Sequence, residues 1–188
     1  MNYRPLGRTG FRASQLGIGD LADRNVPLAP CVATIHRAMD AGLNLIDTAP
    51  GYEDGYSEEI VGAALRGRRD GMFVIDKIDH LDQPVGPQVD ASLQRLGLDH
   101  VDAFVFHGAP DFAALRFDEL DACVKAGKVR FRGISSHNPV AVHQAILSGL
   151  CDVVMFPVGP YCDARYIEDC LPLARERSEE HTSELQSH

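Results

Sequence analysis

Short apolar runs alternate with segments of helical apolar spacing along the chain, and this alternation restricts the fold more than any other feature. The runs are 15–18 (QLGI), 43–46 (LNLI), 72–75 (MFVI), 101–106 (VDAFVF), 129–134 (VRFRGI) and 152–156 (DVVMF). Behind them, in order, come stripes that would bury one face of a helix. These are Val32, Ile35 and Met39; Ile60, Val61, Ala64 and Leu65; Val85, Val89, Leu93 and Leu96; Phe117, Leu120 and Val124; Val142, Ile146 and Leu150; and Tyr166, Ile167, Cys170 and Leu171. The punctuation agrees. Gly42, Gly97 and Gly127 stand where helices close, and Asn138-Pro139 sets proline in a first turn. Ser57 is expected to cap the second helix, with Tyr56 stapled against Val61 and Glu58 and Glu59 at its positive end. Six strand-helix units in strict alternation imply an α/β fold with a parallel sheet and crossover helices. Two architectures fit, an open doubly wound sheet or a (β/α)8 TIM barrel. Residues 3–14 read as a β-hairpin turning at Arg8-Thr9-Gly10, which could plug the floor of a barrel.

Composition narrows the function classes. The chain has 188 residues, 45 % hydrophobic, with a formal net charge of −9. An acidic balance argues against nucleic acid as a partner. No apolar run approaches the roughly 18 residues that a membrane-spanning helix needs, and Met1 to Pro5 show no secretion signal. The five cysteines are widely spaced without a C-x-x-C pair, so free thiols in a reducing cytoplasm are expected, with neither a disulfide frame nor a metal site. The run Gly17-Ile18-Gly19-Asp20-Leu21-Ala22 matches a dinucleotide fingerprint in letters. That motif needs a helix opening at its glycines. Here Pro27 and Pro30 follow without apolar period, and a helix is expected only near Cys31.

In parallel α/β folds chemistry gathers at the carboxyl ends of strands. Those ends read Gly19-Asp20, Asp47, Asp76-Lys77, His107, Ser135-Ser136-His137 and Pro157-Val158-Gly159, with Tyr52 on the loop after Asp47. Taken singly, each has an ordinary structural explanation in a turn, a cap or the core. Taken together they complement one another. A tyrosine phenol titrates near about 10, and a neighbouring ammonium such as Lys77 lowers that value. A partly buried lysine needs a carboxylate, which Asp47 can supply. His107 can hydrogen-bond a carbonyl oxygen and help bind the developing oxyanion. The set describes protonation of a carbonyl oxygen while hydride reaches its carbon, and a nicotinamide cofactor must bring the hydride.

At this point the sequence resembles the aldo-keto reductases. The segments YRPLGRTGFRASQLGIG (3–19), NLIDTAPGYEDGYSEEIVGAAL (44–65), FVIDKI (73–78), VDAFVFHG (101–108) and GKVRFRGISSHNP (127–139) carry the resemblance, in family order. It implies a TIM barrel and a cytoplasmic NADPH-dependent carbonyl reductase, NADH not being excluded, that acts on a small-molecule aldehyde or ketone. By position, Tyr52 would be the general acid, Lys77 its partner, Asp47 the anchor of Lys77, and His107 the group that orients the carbonyl. Gly19, Asp20, Asp47, Ser135 and Ser136 would contact the cofactor. Ser136 stands where the family usually has asparagine, Asp20 where threonine is usual and Met155 where many members have glutamine. Two other classes share the fold: a nicotinamide-binding regulatory subunit, and a lyase using Lys77 as a Schiff base.

A full barrel has eight units, and six are legible here. Residues 177–188 (RSEEHTSELQSH) lack apolar period and resemble a translated frame of a sequencing-adapter oligonucleotide. The expectation is therefore an incomplete barrel over residues 1–176 followed by a non-native tail. Both sheet edges would stay open, and cofactor binding would be poor or the fragment inactive.

Overall fold

The computed structural model describes residues 1–177 and 180–182. Strand β1 (Tyr3–Pro5) pairs antiparallel with β2 (Arg12–Ser14). The order then runs α1 (Leu28–Asp40), β3 (Leu45–Asp47), α2 (Tyr56–Leu65), β4 (Phe73–Ile78), α3 (Val85–Leu96), β5 (Val101–His107) and α4 (Phe117–Lys125). It continues with β6 (Val129–Ser135), α5 (Pro139–Ser148), β7 (Val153–Met155), α6 (Leu171–Glu176) and β8 (Glu180–Thr182). All neighbours in the order β3-β4-β5-β6-β7-β8 are parallel. The result is a curled, incomplete (β/α)8 barrel preceded by a hairpin.

Period-two alternation divides the core. Leu45, Phe73, Ile75, Ala103, Val105, Val153 and Met155 point inward, and the hairpin residues Leu6 and Ala13 pack on them. Phe73 lies between Phe11 at 5.1 Å and Phe131 at 5.9 Å, so aromatic rings join hairpin to sheet. The hairpin therefore closes the floor. The opposite parity, including Ile46, Val74, Phe104, Phe106, Ile134 and Val154, packs outward against the helices. Each such side chain contributes about 1.5–3 kcal/mol when fully buried.

Four expectations need correction. The first run forms no strand: only Ile18 reaches the sheet, in a single parallel bridge to Ile46. Leu16 is exposed and the backbone of Gln15 is bonded to Asn2, which ties that end to the hairpin. Helix α1 starts at Leu28, before Cys31, because Pro30 sits in a first turn where no amide hydrogen is needed. Ser57 caps nothing. It lies inside α2, buried, with its hydroxyl 2.8 Å from that of Thr48. Tyr56 opens that helix with its hydroxyl donating to Val26 O at 2.9 Å and with Arg24 over its ring, and Glu58 is a buried partner of Arg95 on α3. Finally, the expected tail takes part in the sheet: Glu180–Thr182 adds to β7 as β8, which moves the edge from β7 to β8. An unpaired parallel edge presents amide and carbonyl groups that an extended segment can satisfy. Much of the expected tail, residues 178, 179 and 183–188, lies outside the described residues.

Candidate active site

The inward parity that builds the apolar floor continues to the strand ends, where the residues turn polar. Asp47 follows Leu45 on β3, Lys77 follows Ile75 on β4, His107 follows Val105 on β5, and Ser135 closes β6 opposite His107. One face of one sheet thus presents a carboxylate, an ammonium, an imidazole and a hydroxyl above a packed hydrocarbon layer.

Lys77 is fully buried. Its Nζ donates to Asp47 Oδ2 at 2.6 Å, to Tyr52 Oη at 2.8 Å and to Thr48 O at 3.1 Å, which uses all three of its protons. Burial alone would lower the affinity of this amine for its proton. The attraction of Asp47 and Tyr52 outweighs burial and raises it above the ordinary lysine value. Lys77 is a fixed cation.

Tyr52 reaches the ammonium from a turn that leaves β3. Its amide bonds to Ala49 O at 3.2 Å, and the chain passes through left-handed conformations at Glu53 and Asp54 before α2 begins. The Thr48–Ser57 hydroxyl contact ties the two ends of that loop together. The Tyr52 ring meets His107 edge-on, centroids 5.8 Å apart and planes at 86°. Asp47, Tyr52, Lys77 and His107 therefore form one cluster.

The other sequence candidates lie at the same end of the sheet with different surroundings. Ser135 is buried and points inward. Ser136 has its hydroxyl committed, donating to Ala109 O at 2.6 Å and accepting from Asn138 N at 3.0 Å. Gly19 and Asp20 are exposed; Gly19 borders open space, and Asp20 Oδ1 accepts from Ala22 N at 2.8 Å within a turn. Residues 19–27 carry no helix.

Asp79 was not singled out from the sequence. Its carboxylate contacts His107 Nδ1 through Oδ1 and accepts from Gly51 N at 2.5 Å through Oδ2. The signal was available: the inward series Phe73, Ile75, Lys77 extends by one more step to residue 79. Among the described residues no group of three or more His, Cys, Asp and Glu could hold a metal ion. No described helix is long and apolar enough to cross a membrane, and all five cysteines are free.

The family model described as "Aldo/keto reductase family" matches residues 13–177. The aldo-keto reductase YhdN of Bacillus subtilis (strain 168) is 31% identical over 72% of this chain and 47% of its own length. The NADH-specific methylglyoxal reductase of Escherichia coli (strain K12) is 30% identical over 94% of this chain and 64% of its own. This chain thus spans roughly half to two thirds of these curated relatives. Among solved structures, the aldo-keto reductase AKR11C1 from Bacillus halodurans (holo form) superposes with a TM-score of 0.84 at 25% identity, covering 97% of this chain and 65% of that one.

Proposed function

The chain belongs to the aldo/keto reductase family, and on that premise we propose that its cluster protonates the oxygen of an aldehyde or ketone as hydride reaches the carbon. The observation that carries the reading is the position of the fully buried Lys77 ammonium, within hydrogen-bond distance of both Asp47 and Tyr52.

Each residue then has a chemical task. Tyr52 donates its hydroxyl proton to the substrate oxygen. The ammonium of Lys77 stabilises the phenolate left behind, through the same attraction by which Tyr52 holds Lys77 charged. Asp47 compensates the buried cation, so the site can be dry without expelling the charge. His107 sits beside the Tyr52 ring and bounds the place where a carbonyl oxygen would meet the phenol.

A bound nicotinamide dinucleotide, NADPH or NADH, supplies the hydride. Two features of the strand ends fit such a group: Ser135, buried and inward-facing next to His107, and the open space beside Gly19. Ser135 would hold the carboxamide end, with the backbone at Gly19 and Asp20 beside it. The hydroxyl of Ser136, already bonded to Ala109 and Asn138, supports the turn instead.

The Schiff-base alternative loses support from the same geometry. A nucleophilic lysine needs a depressed pKa, whereas that of Lys77 is raised.

Cofactor absorbance in the presence of methylglyoxal, the substrate named for one relative, tests the proposal with NADPH and NADH in parallel. Aldehyde-dependent oxidation of either cofactor that is lost in Tyr52→Phe supports it. Turnover that survives in Tyr52→Phe overturns the assigned proton donor. Failure to oxidise either cofactor with a panel of aldehydes and ketones removes the reductase reading for this chain.

A further inference from the structure

We propose that Asp79 is a positioning residue, one carboxylate that sets both the imidazole of His107 and the backbone that carries Tyr52. The inference rests on the reductase reading for its purpose, and on geometry for its content.

Asp79 lies one residue beyond β4, with the parity of Lys77, so its side chain faces the mouth of the barrel. Oδ1 contacts His107 Nδ1, and Oδ2 accepts the amide hydrogen of Gly51, the residue directly before Tyr52, at 2.5 Å. The approach to the loop is close enough to dictate the residue there. A Cβ at position 51 would lie 2.6 Å from Asp79 Oδ2, so only glycine admits the carboxylate as placed. The two rings that would flank a carbonyl oxygen, Tyr52 and His107, are therefore held by opposite oxygens of one group.

The carboxylate is in the right state for this. Burial by itself would raise its pKa. The hydrogen bond and charge of His107, the Gly51 amide and the nearby Lys77 ammonium together bring it below the ordinary value. Asp79 is ionised at neutral pH and can only accept.

That fixes the protons on His107. An acceptor at Nδ1 requires a hydrogen there, so the neutral ring carries its lone pair on Nε2. In this form Nε2 can accept a hydrogen bond and cannot donate one to a carbonyl oxygen. Donation from Nε2 requires the doubly protonated ring. His107 would thus meet a carbonyl oxygen as a cation and an alcohol hydroxyl as a neutral acceptor. The charged and titratable groups facing it are Asp79, Tyr52 and, across Tyr52, Lys77 with Asp47.

The experiment is 15N NMR of the imidazole nitrogens in the labelled chain, with the His107 signals assigned by their loss in His107→Gln. The expected result is a neutral ring protonated at Nδ1 and bare at Nε2, which gives way to a mixture of the two tautomers in Asp79→Ala. A neutral ring protonated at Nε2, or a tautomer population unmoved in Asp79→Ala, overturns the proposal. Gly51→Ala provides a second reading, because it displaces the carboxylate from a residue that has no assigned contact with His107. It too should shift the tautomer population, and an unchanged population there counts against the shared carboxylate. None of these readouts requires turnover, so they can succeed where carbonyl reduction fails, and the reverse.

Discussion

The ammonium of Lys77 stands 2.8 Å from the hydroxyl of Tyr52 and 4.4 Å from the centre of its ring. The second distance matters as much as the first. It means that Tyr52→Phe removes the proton while keeping the aromatic face that the cation rests on. The expected outcome is a fall in kcat of about 10²–10⁴-fold, with the thermal midpoint and cofactor affinity little changed. Steady-state kinetics beside a fluorescence titration of the cofactor check it. A parallel loss of affinity and stability would mean that Tyr52 is a packing residue.

The Asp47–Lys77 pair is asymmetric in burial, and this gives an order of stabilities. Lys77 is fully enclosed while the side chain of Asp47 retains 13% exposure. Asp47→Asn leaves an ammonium in the interior without its counter-charge, a change that costs about 3–5 kcal/mol. Lys77→Met leaves a carboxylate that water can still reach, and Met fills the channel with methylene groups, so the cost should be below about 2 kcal/mol. Chemical denaturation of both variants tests the order. If Lys77→Met proves the less stable, the counter-charge role of Asp47 is wrong.

The cluster was legible because parity is exact in strands. With 43–46, 72–75 and 101–106 as strands, Asp47, Lys77 and His107 lie at their ends, and Tyr52 stands on the loop directly after Asp47 as the phenol that a neighbouring ammonium would activate. Asp79 escaped because residues 79–84 have the letters of a polar loop, so the inward series Phe73, Ile75 and Lys77 reads as ending with the strand, one step short of it. Ser57 failed for a related reason. A serine before an apolar helical stripe has the letters of a cap, but the turn through Glu53, Asp54 and Gly55 starts α2 one residue before it. Loop geometry, which decides both cases, is set by tertiary contacts such as Thr48–Ser57 and Gly51–Asp79. The first run failed as a strand because Ile18 is the one residue of that run with a sheet partner.

Asp76 makes the chain's stability depend on pH in a specific direction. It is fully buried on the outer face of β4. Oδ1 accepts from Lys77 N at 2.8 Å, and Oδ2 has no hydrogen-bond partner. Burial, and then the charge of Glu58, raise its pKa well above the ordinary value. An unfolded aspartate titrates near about 3.9, so the folded chain binds the proton more tightly. The stability from this group is fully present below that value and is lost as pH rises through the folded pKa. Asp76→Asn keeps an acceptor for Lys77 N and cannot ionise. It should raise the unfolding free energy at neutral pH by about 1–3 kcal/mol, with the gain shrinking as the pH falls toward about 4. Urea unfolding across that range measures it; a gain that grows toward acid would reverse the assignment.

Two glycines in adjacent helices should answer the same substitution differently. Gly62 lies in α2 where a Cβ would come within 2.1 Å of the carbonyl oxygen of Leu96, and that atom is backbone, at the end of α3. Alanine is the better helix former by about 1 kcal/mol. Placing it there nonetheless requires the two helices to separate, and overpacking of this kind costs about 1–3 kcal/mol or more. Gly62→Ala should therefore lower the thermal midpoint. Gly86, in the first turn of α3, has no left-handed φ and open space around the same built position apart from its chain neighbours. One of those neighbours is Pro87, whose ring disfavours helical backbone in a preceding residue that carries a Cβ, so the helical gain is offset and Gly86→Ala should leave the midpoint nearly unchanged. Melting curves of the two variants decide the point. A gain in Gly62→Ala would show that α2 and α3 are not in contact at Gly62, and would overturn the packing that holds the Tyr52 loop over Lys77.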